Sequence, residues 1–196
     1  VARLSFPRYE ETRFAVLIGQ YLNGRLGGLD DVSPRFAALL YAGDRMESRD
    51  LLLRLGADND LVILDRYVAS NLAYNAAKLA PGERDGFLDW LAEVEFEIFE
   101  LPRPDLTCLL ATPPEIANSL VAQKPARSYT QMTRDLHEAD RGYMARVAEV
   151  YERLAREERA SPWFRCASVA AEGGLRPPGE IADEVWHHLA PLLERS

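Results

Sequence analysis

Four apolar residues, Leu61 to Leu64, stop abruptly at Asp65-Arg66-Tyr67, and a helix-competent stretch follows to about Leu79. A buried parallel strand delivers charge in this way to the carboxyl edge of an α/β sheet, where open sheets bind their ligands. A carboxylate there suits the hydration shell of a Mg²⁺ ion, and a guanidinium suits a phosphate, which it grips with paired N–H donors. A strand-end salt bridge is the plainer reading of the same pair. Asn71, Tyr74 and Lys78 follow at i, i+3 and i+7 and share one helix face. That face is either ligand-directed or solvated with one half-buried tyrosine, and Lys78 reads as plain surface. Tyr41 and Arg45 lie one helical turn apart, an aromatic plane beside a guanidinium. Phe6-Pro7-Arg8-Tyr9 closes another apolar run. Lys124, Arg127 and Arg134 sit in a polar, basic stretch without period, with charge of the kind that neutralises phosphates in phosphoryl transfer. His137, His187 and His188 have no metal-ligand spacing with Cys or with one another, so no zinc site is expected.

The elements that must position these groups alternate. Strands are expected at residues 1–6, 61–65, 106–111 and 164–170. Helices are expected at 11–24, from Ser33-Pro34 to Gly56, from Asp65 to about Leu79, at 85–100, from Pro113-Pro114 to about Gln123, at 135–158 and at 181–193. Strands separated by helices mean an α/β fold, a doubly wound parallel sheet flanked by helices. At 196 residues, with 47% hydrophobic composition and no linker or repeat, the chain reads as one domain, 1–196.

The run DRYVASNLAYNAAKL, Asp65 to Leu79, closely resembles the thymidylate kinase (dTMP kinase) family. The likeness continues in SFPRY (Ser5 to Tyr9), LLYAGDR (Leu39 to Arg45), LPRPDL (Leu101 to Leu106) and DLHEAD (Asp135 to Asp140), over about residues 4 to 151. It implies a P-loop NTPase-like fold and phosphoryl transfer from ATP to dTMP with Mg²⁺, giving dTDP for dTTP synthesis. By that resemblance Arg66 binds the monophosphate, and Asp65 holds the metal shell through water or orients the arginine. Asn71 meets the thymine edge, and Tyr74 the deoxyribose, where it blocks a 2′-hydroxyl. Tyr41 stacks on the base, and Arg45 reaches a base carbonyl or a phosphate. Phe6, Arg8 and Tyr9 line the monophosphate pocket, with Arg8 the second phosphate ligand. Residues 124–134 become a lid whose Arg127 and Arg134 close over the phosphates. A homodimer in the cytoplasm is implied, with the helices at Pro34 to Leu55 and Asp85 to Phe99 as candidate interfaces.

The family's first strand and its GxxxxGK(S/T) phosphate loop have no counterpart here. The nearest imitation, Gly19 to Leu26, lacks the lysine and the hydroxyl and follows a helical pattern rather than a strand. The expectation is a chain that begins just before the family's second strand. Such a chain would be inactive alone and would fold poorly, because the neighbours of a missing central strand lose their hydrogen-bond partners.

The net charge of −8 and a pI near 5.0 exclude a broad basic face for nucleic acid, though not a local basic pocket. No apolar run is long enough to span a membrane, and no signal peptide is visible. Cys108 and Cys166 lie in apolar runs and read as reduced core thiols. Two other functions remain open. A deoxynucleoside kinase would need an acidic base near the sugar 5′-hydroxyl. A non-catalytic nucleotide-binding or dimerisation module would need neither the base nor the loop.

Overall fold

The computed structural model describes residues 1–28, 31–121, 140–170 and 173–194. Among these described residues four strands form, close to the expected positions: β1 (Ala2–Ser5), β2 (Val62–Asp65), β3 (Thr107–Ala111) and β4 (Trp163–Ala167). They pair as two parallel ribbons. β1 runs beside β2 with Ala2 opposite Val62 and Ser5 opposite Asp65. β3 runs beside β4 with Thr107 opposite Trp163 and Ala111 opposite Ala167.

Alternate residues of a parallel strand turn their backbone groups to opposite sides. Ala2 and Phe6 donate to the carbonyls of Leu61 and Asp65 at 2.8 and 3.0 Å, so the odd-numbered residues of β2 face β1. Thr107 donates to Pro162 O at 2.9 Å and Ser168 to Ala111 O at 3.1 Å, so the odd-numbered residues of β3 face β4. The N–H and C=O groups of Val62, Leu64, Cys108 and Leu110 are therefore directed away from their ribbons. β2 and β3 both line a cleft of about 1620 Å³, walled further by residues within 144–156 and 185–193.

The helices carry legible ends. Thr12 caps α1 (Arg13–Leu22) by accepting from the Ala15 N–H, and Ser33 caps α2 (Pro34–Glu47) by accepting from Phe36, with Pro34 at the first turn. The single helix expected from Ser33 to Gly56 is two, because α2 stops and α3 (Arg49–Asp58) begins at Ser48. The Ser48 hydroxyl bonds back to Asp44 O at 2.9 Å, the local competition that bends helices at serine, and also receives the Arg8 guanidinium at 3.0 Å. Next come α4 (Val68–Ala76), a short 3₁₀ turn at Pro81–Glu83 and α5 (Arg84–Glu93), which passes directly into a π-helical turn at Val94–Ile98. The chain closes with α6 (Pro114–Val121), α7 (Arg141–Arg156), capped by Asp140, and α8 (Pro178–Leu193).

The π turn corrects one expectation. The sequence spacing predicts one inward face for Phe87, Leu88, Leu91, Val94, Ile98 and Phe99, but the extra residue in the turn shifts the register and turns Ile98 outward. Val94, Glu95 and Phe96 are buried, and Ile98 is 63% exposed. The main core joins α4, α5 and α7 through Leu72, Phe87, Leu88, Leu91, Tyr143 and Leu154. A second core of Ile18, Tyr21, Leu22, Ala37 and Leu40 lies between α1 and α2. Both cysteines are free, but only Cys166 is buried; Cys108 is exposed on the cleft wall. Among the described residues no helix is long and apolar enough to cross a membrane.

Candidate active site

Arg66 follows the last residue of β2 with φ at 63°, in the left-handed region that side chains rarely adopt. Backbone strain of this kind persists where the surroundings hold it, and it gathers at ligand sites. The guanidinium lies over the Tyr74 ring, 5.2 Å from its centroid, with Nη2 3.5 Å from the phenol oxygen, the outer limit of a hydrogen bond. Tyr74 is in turn met edge-on by Tyr143 and Tyr151. Tyr143 donates to the Tyr74 carbonyl at 2.5 Å and Tyr151 to the Ser70 hydroxyl at 2.7 Å. Desolvation pushes the Tyr151 phenol up to about 12, so it remains a neutral donor. The Tyr74 phenol foremost, against the cost of desolvation, raises the pKa of Arg66, with Tyr151 and Tyr41 adding to it. A permanent cation thus sits in a tyrosine cage at the carboxyl end of a strand and on the cleft wall.

A second constellation is buried. Arg45 on α2 donates through Nε to Glu95 Oε2 at 2.8 Å and through Nη2 to Glu95 Oε1, a bidentate ion pair. Burial would lower the pKa of Arg45, but Glu95 more than offsets this and the pKa is raised. Asn71 on α4 donates to the same Glu95 Oε1 at 2.7 Å and to Ala38 O at 3.0 Å, while its Oδ1 accepts from Asn75 Nδ2 at 2.8 Å. Lys78 is not plain surface. It is half-buried, lies over the Tyr21 ring, and donates to Tyr21 Oη at 2.7 Å and to Asn75 Oδ1 at 2.9 Å.

Arg8 connects the β1 end to α2. Its N–H donates to Asp44 Oδ2 at 3.1 Å, and its guanidinium reaches the Ser48 hydroxyl and pairs with Glu11. Its Nε is buried without a hydrogen-bond partner among the described residues. Asp44 therefore takes the Arg8 N–H and the Thr12 hydroxyl, the latter at 2.5 Å, rather than closing a pair with Arg45.

Phe6 is buried in the main core, its ring 6.0 Å from that of Tyr67, so it supports a pocket wall from behind. Tyr9 and Tyr41 are half-buried against the second core. Asp65 is exposed at the end of β2, on the cleft wall, and its carbonyl receives the Phe6 N–H. That position suits a water-mediated partner of Mg²⁺, though among the described residues no three His, Cys, Asp or Glu side chains converge on a metal site. Arg127, Arg134 and the 124–134 lid lie outside the described residues.

Glu95, Asn75 and Tyr151 are the participants that sequence reasoning missed. Glu95 carried a signal: Leu88, Leu91 and Glu95 stand at i, i+3 and i+7, which continues the buried face of α5 onto a carboxylate in the π turn.

A model of the family described as thymidylate kinase matches residues 4–162. The chain belongs to the thymidylate kinase family. It is 36% identical over 175 residues to the thymidylate kinase of Mycobacterium tuberculosis, in each of two strains, an alignment covering 89% of this chain and 81% of that protein. To the thymidylate kinase of Leifsonia xyli subsp. xyli it is 34% identical over 159 residues, or 79% of this chain and 66% of the relative. A solved thymidylate kinase from Candida albicans superimposes with a TM-score of 0.67 at 20% identity, covering 96% of this chain and 79% of that one. That structure bears on the fold, and the P-loop NTPase-like α/β architecture agrees with it.

Proposed function

We propose that this thymidylate kinase family member transfers the γ-phosphoryl group of ATP to dTMP, with Mg²⁺. The observation that carries the reading is Arg66, held in a left-handed conformation over Tyr74 at the carboxyl end of β2. A cation fixed in that way suits the dTMP phosphate, and Tyr74 beside it suits a sugar lacking a 2′-hydroxyl. The attacking oxygen belongs to that phosphate and is already ionised at neutral pH, so no strong general base is required. What the protein must supply is position and charge neutralisation. Asp65 would hold the water shell of Mg²⁺, whose contribution is to neutralise charge between the phosphates.

The cleft between β2 and β3 belongs to the same proposal. Its walls offer backbone donors and acceptors at Val62, Leu64, Cys108 and Leu110, the pattern that one further parallel strand between them would satisfy. We assign that place to one further parallel strand, which in this reading carries the phosphate loop for ATP. A homodimer through α2 and α3 is favoured by Phe36, Leu39, Met46 and Leu53, large apolar side chains left exposed on these helices. A cytoplasmic location accords with the dTTP-synthesis role.

The test is the intact mass of the protein from its own cells, followed by ADP release with dTMP and with thymidine. A mass about 3 kDa above 22.0 kDa, the size of one strand–loop–helix unit, with turnover of dTMP and not thymidine, is expected. Turnover of thymidine alone would make it a deoxynucleoside kinase. A mass of 22.0 kDa without turnover would make it a non-catalytic module.

A further inference from the structure

The buried hydrogen bonds around Asn71 run in one direction only. At one end the Lys78 ammonium has donors and no acceptor, and it donates a hydrogen bond to Asn75 Oδ1 at 2.9 Å. That fixes the Asn75 amide, whose Nδ2 must then donate, as it does to Asn71 Oδ1 at 2.8 Å. At the other end the Glu95 carboxylate only accepts, and it takes Asn71 Nδ2 at 2.7 Å. The Ala38 carbonyl, also only an acceptor, takes the second Nδ2 proton at 3.0 Å. An inverted Asn71 amide would set Oδ1 against a carboxylate and a carbonyl, and Nδ2 against another Nδ2. Both amide protons of Asn71 are thus committed to protein, and what it can still offer a ligand is the second lone pair of Oδ1.

The same Glu95 also fixes Arg45. The bidentate pair occupies Nε and Nη2, and Nη1 has no hydrogen-bond partner among the described residues. The pair therefore offers one acceptor, Asn71 Oδ1, and one donor group, Arg45 Nη1, both set by a single carboxylate.

We propose that Glu95 and Lys78 are specificity-determining positioning residues, which lock the Asn71 amide so that the site accepts a pyrimidine with a protonated N3 and rejects one whose N3 is a bare acceptor. Thymine carries an N3 proton with a carbonyl beside it, matching an acceptor and a donor in that order. Cytosine offers a lone pair and an amino group, and meets like with like at both positions. Buried polar groups left facing the wrong partner are what give hydrogen-bonded sites their discrimination. The inference rests on the dTMP kinase reading and deepens it.

The test compares kcat/KM for dTMP and dCMP in the full-length enzyme and in Glu95→Gln, Lys78→Met and Lys78→Arg. The amide that Glu95→Gln introduces can donate as well as accept, so the amide chain loses its fixed direction. Both Glu95→Gln and Lys78→Met should lower the dTMP-to-dCMP ratio by about ten-fold or more, chiefly through a higher KM for dTMP, and Lys78→Arg should restore most of it. A merely structural role would lower activity on both nucleotides together and leave the ratio unmoved. If Glu95→Gln does not fold, Lys78→Met decides, since it acts at the half-buried end. An unchanged ratio in a folded variant overturns the proposal. A wild-type enzyme that ignores dTMP overturns the functional reading beneath it.

Discussion

Arg45 and Glu95 are 50 residues apart in sequence and meet through two parallel hydrogen bonds, with side chains 3% and 0% exposed. Two charges so far from water are worth little as a pair but a great deal once one is missing. Glu95→Ala should therefore cost about 3–5 kcal/mol in urea unfolding, because it strands a buried guanidinium and removes an acceptor from Asn71. The double variant Arg45→Met with Glu95→Leu should recover most of that loss while abolishing base recognition. A Glu95→Ala protein within about 1 kcal/mol of wild type would show that water reaches the pair.

Arg66→Ala in the full-length enzyme should lower kcat by about 10²- to 10³-fold, the usual cost of removing one preorganised charge from a phosphoryl-transfer site. His188→Ala makes the matched control. His188 is exposed on α8, stacks on Phe164 with ring centroids 3.6 Å apart, and is not among the residues that line the cleft with Arg66. Steady-state rates with dTMP and ATP check both, and equal rates in the two variants would remove Arg66 from the site.

Gly43 allows α1 to lie close against α2. A Cβ at this position would fall 2.5 Å from Phe14 Cδ1 and 2.6 Å from Cε1, inside any real contact. The ring must move or the helices must part, so Gly43→Ala should cost about 1–3 kcal/mol as an overpacked core. For a domain of this size that is a fall in Tm of roughly 2–4 °C per kcal/mol. Calorimetry on wild type and variant reads it directly, and an unchanged Tm would mean the α1–α2 contact is looser than it stands here.

Much of this was legible in the chain. All four strands were visible as short apolar runs, and the Asp65-Arg66 step marked the carboxyl edge of the sheet. The helix expected from Ser33 to Gly56 was not legible as two, because its break is a tertiary event: Ser48 turns back on Asp44 when Arg8 arrives from β1. The inward face of 85–100 was misread at Ile98, which is exposed, because periodicity assumes a constant 3.6 residues per turn, and the π turn at Val94 breaks that assumption. Glu95 escaped for the related reason that a carboxylate is assigned to solvent unless a partner is known. Its partners, Arg45 and Asn71, come from helices 50 and 24 residues away.

Asp44 gives the fold a pH dependence of unusual sign. It is almost fully buried, and desolvation raises its pKa above an ordinary 3.8, only partly offset by the Thr12 hydroxyl, the Arg8 N–H and the charges of Arg45 and Arg8. Between 3.8 and the folded value the native state binds more protons at this site than the unfolded chain does. Stability from this group is therefore greatest at low pH and falls as pH rises through that window, levelling off above the folded pKa. Most carboxylates act in the opposite sense, so the effect must be isolated by difference. Asp44→Asn keeps an oxygen for the Arg8 N–H and cannot ionise. The wild-type unfolding free energy minus that of Asp44→Asn should decline from about pH 4 upward and then flatten, measured as urea midpoints across the range. A difference that rises with pH would mean the partners of Asp44 outweigh its burial, and the folded pKa would then lie below 3.8 rather than above it.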